Sequence, residues 1–298
     1  MKYEILLKKS VLNRIVKNLS ALTDKKPEKY RTDCIAIDFS FGSDSCTMNF
    51  TATDSKKLAE TQIPMDDESI CALPDKPILV TAKDFLAAIK DLGCEPSSMV
   101  RLVAQYSHDN QVALYITTTG TPTEIPIQEG DYPDIRSIRK KLIDGFKDNS
   151  IKFKLSDQWS KTIFDRLLKA NVSHPRTEFL NEAIISLREY TDYDITFGLV
   201  GIDEYKERDS LIQCFNHDDG SRILSGFYDR LPKEDCPNLF ARHATYVLNN
   251  LRCGMNVFYK PNFGLIECEV DEDGFLFMTA RDSDDESINH KVYIAPRW

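Results

Sequence analysis

The sequence predicts an α+β protein made of repeated β-α-β-β-β units, and three observations predict it. Apolar residues recur at helical spacing in four stretches that begin near residues 10, 82, 157 and 241, a period of roughly 75. A short apolar run precedes the early helices, and alternating, β-rich runs follow all four. Turn clusters such as Gly42-Ser43-Asp44 and His108-Asp109-Asn110 separate those runs, as antiparallel strands require.

The first unit opens with a strand over Tyr3 to Leu7. The helix Ser10 to Leu22 follows, with Val11, Leu12, Ile15, Val16, Leu19 and Leu22 on one stripe and Ser10 as its expected cap. Cys34 to Phe41, Cys46 to Asp54 and Lys57 to Ile63 read as its three strands. The second unit repeats the order: Pro77 to Val80, a helix capped by Thr81 and stopped by Gly93, then Met99 to Tyr106, Gln111 to Thr119 and Thr123 to Ile127. Residues 136–150, polar and basic after a proline, read as an interdomain connector between a domain of residues 1–135 and one of residues 151–298. In the second domain a strand over Ile151 to Leu155 precedes a helix capped by Ser156. Strands are expected over Ala183 to Tyr190, Tyr193 to Gly201 and Asp209 to Phe215. The fourth helix is expected over residues 241–253, followed by strands over Met255 to Tyr259, Phe263 to Val270, Gly274 to Ala280 and Val292 to Ile294.

Composition narrows the class. With 298 residues, 42% hydrophobic and 29% charged, the chain can build two soluble domains. No apolar run approaches bilayer-spanning length, and the patch in MKYEILLKKSV is too short for a signal peptide, so a cytoplasmic protein is expected. The eight cysteines form no C-x-x-C pair and read as reduced. Cys214, His217, Cys236 and His243 are spaced too widely for a zinc site, so no metal or other cofactor is expected. Walker, dinucleotide, nucleophile-elbow and HExxH motifs are absent, which argues against an enzyme. The acids Asp271, Glu272, Asp273, Asp282, Asp284, Asp285 and Glu286 read as solvated turns, with a metal-dependent enzyme as the lesser alternative.

Charge is unevenly distributed. The net charge is -9, yet the four helical segments with their flanks hold 13 cations against 5 acids. Helices gathered on one face would give that face a positive field and leave the rest acidic; otherwise these cations simply meet solvent. The candidates for phosphate contact are Lys9, Arg14, Lys17, Lys83, Lys90, Lys161, Arg166, Lys169, Arg242 and Arg252. Nothing in the helices forms an array for reading base edges, so binding is expected to be sequence-independent and salt-sensitive.

Three segments carry a family resemblance. Phe50-Thr-Ala-Thr-Asp-Ser-Lys-Lys-Leu-Ala59 is similar to an "ATDG..RLA" segment, Ile125-Pro-Ile with Asp131-Tyr-Pro133 to an "lp..DYP" domain ending, and Val292-Tyr-Ile-Ala-Pro-Arg-Trp298 to a terminal "yvimPmRl". On these motifs the chain resembles a DNA polymerase sliding clamp of the bacterial beta-subunit type. The second half has Gly201-Ile-Asp-Glu-Tyr-Lys206 where a second "ATDG..RLA" would stand. The resemblance implies antiparallel sheets outside and helices lining a ring around double-stranded DNA. It also implies that a DNA polymerase and a clamp loader dock through short linear peptides. Clamps of this type have three domains per chain and close as dimers; a two-domain chain needs three copies to supply six domains, so a head-to-tail homotrimer is expected, a dimer being the alternative. The implied peptide site is Tyr293, Ile294, Ala295, Pro296, Arg297 and Trp298, unless these residues only end a core strand. A clamp-like, peptide-binding scaffold without DNA binding is the other alternative reading.

Overall fold

The computed structural model describes residues 2–41, 46–65, 74, 76–107, 112–145, 151–156, 179–189, 193–201, 210–215, 222–228, 242–258, 265–271 and 275–296. The chain divides into two compact units: residues 1–138 with 281–291, and residues 139–280 with 292–298. Residues 281–291 thus pack with the N-terminal unit, although the sequence reading placed them in the second domain.

In the first unit, β1 (Lys2–Lys8), α1 (Lys9–Ser20), β2 (Cys34–Phe41), β3 (Cys46–Thr53) and β4 (Lys57–Pro64) come first. Then follow β5 (Ile78–Thr81), α2 (Ala82–Asp91), β6 (Met99–Tyr106), β7 (Val112–Thr117) and β8 (Thr123–Ile125). Strand, helix and three strands occur twice, as the sequence predicts. The two copies exchange their first strands: the sheets run β1-β6-β7-β8 and β5-β2-β3-β4, all antiparallel. Residues 289–291 lie beside β4. Neither copy can complete its sheet alone, so the pair folds as one body.

Alternation sets each strand's faces. Tyr3, Ile5 and Leu7 of β1 are buried while Lys2, Leu6 and Lys8 are exposed. The Tyr3 ring lies tilted on Phe39, 4.3 Å between centroids, and meets Tyr106 edge-on. The apolar stripe of α1 is fully buried, and α1 packs on α2 and against β2, β3 and β4.

The helix ends differ from each other. Thr81 Oγ1 accepts the Asp84 N–H at 3.1 Å and caps α2, and Gly93 follows with φ +61°. Ser10, expected as a cap, lies inside α1 instead. The N-cap is Lys8, which makes no side-chain cap, and the first N–H groups of Lys9 and Ser10 donate to the carbonyls of Ser98 and Pro96, both at 2.9 Å. A neighbouring loop therefore does the capping.

The expected connector contains a helix, α3 (Ile135–Gly145). Asp134 caps it: its carbonyl accepts the Ile138 N–H and its carboxylate the Ser137 N–H.

Beyond α3 come β9 (Ile151–Ser156), β10 (Phe179–Glu189), β11 (Tyr193–Gly201), β12 (Ser210–Phe215), β13 (Arg222–Tyr228), β14 (Arg242–Val247), α4 (Leu248–Val257), β15 (Leu265–Val270), β16 (Leu276–Arg281) and β17 (Asn289–Ile294), which the second unit holds except for Arg281 and residues 289–291. The exchange recurs here. β14 joins β10 and β11, while β9 joins β15 and, through it, β16. The expected third helix lies outside the described residues. Two expectations are corrected. Residues 242–247 form a strand because they pair with β10, and the helix begins at Leu248 and runs through Met255–Val257, where a strand was expected. Gly254 lets α4 lie against β17, since a Cβ there would meet Ile294 Cδ1 at 2.8 Å. Among the described residues no helix is long and apolar enough to cross a membrane.

Candidate nucleic-acid interface

Helix geometry decides which cations are available. The buried stripe of α1 leaves Ser10, Lys17 and Ala21 exposed on the opposite side, with Arg14 at its margin. On α2, Phe85, Ala88 and Ile89 are buried and Lys83, Ala87 and Lys90 are exposed. Because α1 and α2 pack together in one unit, Lys17, Lys83 and Lys90 belong to one helical layer. No ion pair engages these three among the described residues.

The other candidates fare differently. Lys9 is half-buried and donates from Nζ to the Cys94 carbonyl at 2.8 Å, which occupies one of its three donors. Arg14 is held by acids: Nη2 lies 2.5 and 2.6 Å from the two Asp282 oxygens, and Nη1 lies 2.5 Å from Asp284 Oδ2. Its side chain is 14% exposed. Lys161, Arg166 and Lys169 lie outside the described residues. Arg242 sits on strand β14, not on a helix, and Arg252 on α4.

Two of the acids read from the sequence as solvated turns, Asp282 and Asp284, instead converge on Arg14. Asp282 is fully buried, and its Oδ2 also meets His290 Nε2 at 2.9 Å, while its Oδ1 accepts the Asp284 N–H at 2.9 Å. His290 Nδ1 in turn meets Thr61 Oγ1 at 2.9 Å. Burial pushes the Asp282 carboxyl up, but hydrogen bonds from His290 and Asp284 and the charge of Arg14 outweigh it and hold it below the ordinary carboxylate value. Asp282, read from the sequence as part of a solvated turn, is thus the buried centre of a network.

The motifs behind the resemblance have local roles. In Thr53-Asp-Ser-Lys-Lys57, Asp54 Oδ1 accepts the N–H groups of Lys56 and Lys57, its carboxylate pairs with the Lys57 ammonium, and Ser55 has φ +71°. Tyr132 donates its hydroxyl to the Thr51 carbonyl at 3.3 Å, and burial pushes its phenol well above the usual tyrosine range. At the C-terminus, Tyr293 and Ile294 are buried, with Tyr293 stacked 4.7 Å from Phe277. Ala295 and Pro296 are half-buried; Arg297 and Trp298 lie outside the described residues.

Neither a protein-family model nor a curated protein sequence matches the chain. Solved structures do. A DNA polymerase III beta subunit from Eubacterium rectale superposes with a TM-score of 0.62 at 11% identity over 99% of this chain, which spans only 65% of that protein's length. The DNA polymerase sliding clamp of Caulobacter crescentus gives 0.61 at 13% identity, over 100% of this chain and 66% of its own. The PCNA of A. fulgidus, bound to the C-terminal region of FEN-1, gives 0.59 at 12% identity, over 99% of this chain and 98% of its own. From its repeated units to its full extent, the chain has the fold of the DNA sliding clamps.

Proposed function

We propose that the chain is a sliding clamp: a ring that encloses double-stranded DNA without reading its sequence and tethers replication proteins to it. The observation that carries this reading is that Lys17, Lys83 and Lys90 are exposed on two packed helices of a clamp fold, in a chain whose net charge is -9. Long cations on helices meet phosphates at any sequence, and an acidic remainder repels DNA from other surfaces. Lys9 adds its remaining donors. Lys161, Arg166, Lys169, Arg242 and Arg252 are the corresponding candidates of the second unit. Three chains arranged head to tail supply the six domains of a ring. A polymerase and a loader dock by short peptides at the C-terminal tail, with Tyr293, Ile294, Pro296, Arg297 and Trp298 as the candidate residues.

The test is charge reversal. The variant carrying Lys17→Glu, Lys83→Glu and Lys90→Glu is titrated with labelled duplex and read by anisotropy over a range of salt. The proposal predicts a loss of binding of at least tenfold at low salt and a shallower salt dependence, because fewer counterions are released. Unchanged binding would remove DNA from the account and leave a peptide-binding scaffold.

A further inference from the structure

Arg14 stands on the same helix as Lys17, three residues away, yet its guanidinium is already occupied. The two acids that occupy it are unlike. Asp282 has a fully buried side chain and is fixed by Arg14, by His290 and by the Asp284 N–H. Asp284 is 39% exposed and, besides that backbone donation, its carboxylate meets Nη1 of Arg14. One acid is a permanent seat; the other stands where an incoming anion would stand, at hydrogen-bond distance from an arginine on the margin of the cationic helix face.

We infer that Asp284 is an internal stand-in for a DNA phosphate. On duplex DNA, Nη1 of Arg14 exchanges the Asp284 carboxylate for a phosphate oxygen while Nη2 stays on Asp282. The exchange is local because Asp282 keeps the guanidinium in place, so only the exposed acid moves. Asp284 then acts as a brake. It offsets one cation of the face in the absence of DNA and competes with each phosphate that passes, which keeps residence at any one site short. A surface that must slide gains from such competition, because a contact that is never lost holds the ring still. Asp284 is thereby a positioning residue that sets the strength of backbone contact, and Arg14 is a conditional contact where the lysines are constant ones.

The inference rests on the proposed DNA binding through α1 and α2, and its test separates the two. Wild type, Asp284→Asn, Arg14→Gln and the Arg14→Gln/Asp284→Asn double variant are titrated with a fluorescein-labelled duplex at several salt concentrations, with the Lys17/Lys83/Lys90 charge-reversed variant in parallel. Asp284→Asn is expected to bind several-fold more tightly. Its slope of log affinity against log salt should steepen by up to about 0.9 per Arg14, according to how far Asp284 keeps Arg14 off phosphate in the wild type. Adding Arg14→Gln should return both values to those of the Arg14→Gln variant. Equal affinity and slope for Asp284→Asn and wild type would overturn the inference while the lysine variant still upheld the DNA reading. Tighter binding that persists in the double variant would also overturn it, since only the removal of a repelling charge would then be at work. Loss of salt-dependent binding from every protein, wild type included, would defeat the DNA reading itself.

Discussion

Arg14 and Lys17 lie three residues apart on one helix and count equally in a charge sum, but they differ in what surrounds them. Lys17 is exposed, while Arg14 is drawn into a chain of contacts that runs through Asp282 and His290 to Thr61. Nothing local in the sequence announces this, because Arg14 and Asp282 are 268 positions apart. The network also predicts a stability effect. Asp282→Ala removes the buried carboxylate that Arg14 and His290 share, leaving a half-buried guanidinium on Asp284 alone, and should cost about 3 kcal/mol in urea unfolding at neutral pH. Asp282→Asn carries the pH signature. The folded-state carboxyl is held below its unfolded value, so its contribution is complete above about pH 5 and is lost as pH falls through the folded value. The advantage of wild type over Asp282→Asn should therefore shrink as pH falls below about pH 4, and an advantage that grew in that range would contradict the assigned direction.

At the scale of elements, the turn between β3 and β4 makes a separate prediction. Ser55 occupies a left-handed conformation at φ +71°, at the position of the glycine in the segment it resembles. Ser55→Gly relieves that strain and should raise stability by about 0.5–1 kcal/mol, measured by the shift of the unfolding midpoint. Much of the N-terminal unit was legible for comparable local reasons: Thr81 caps, Gly93 stops, and the strands alternate. The failures have physical causes too. Arg242 to Val247 carries apolar spacing that suits either a helix or a strand, and pairing with β10 decides for the strand. The basic run after Pro133 looked like a linker, although Asp134 is a helix cap and Ile135, Ile138 and Leu142 keep helical spacing. Ser10 had the chemistry of a cap, but the carbonyls of Ser98 and Pro96 reached the helix first. The exchange of first strands between copies is a long-range pairing that no local pattern encodes.

For the whole molecule, fold and function separate. The β-α-β-β-β periodicity was legible because helices and strands have different apolar periods, and the structure repeats the same exchanged-strand arrangement in both units. The cation count pointed to a face but overstated it, since Arg14 is engaged and Arg242 lies on a strand. The proposed ring makes a prediction of mass: light scattering should give three times the 34.1 kDa chain, and a strict monomer at high concentration would contradict it. Enclosure of DNA has a more direct test. The protein is assembled in the presence of a nicked plasmid circle, and the complex is isolated by gel filtration at moderate salt and then cut once with a restriction enzyme. The account predicts that the protein stays with the circle and is released when the DNA becomes linear; equal retention on both forms, or on neither, would contradict it.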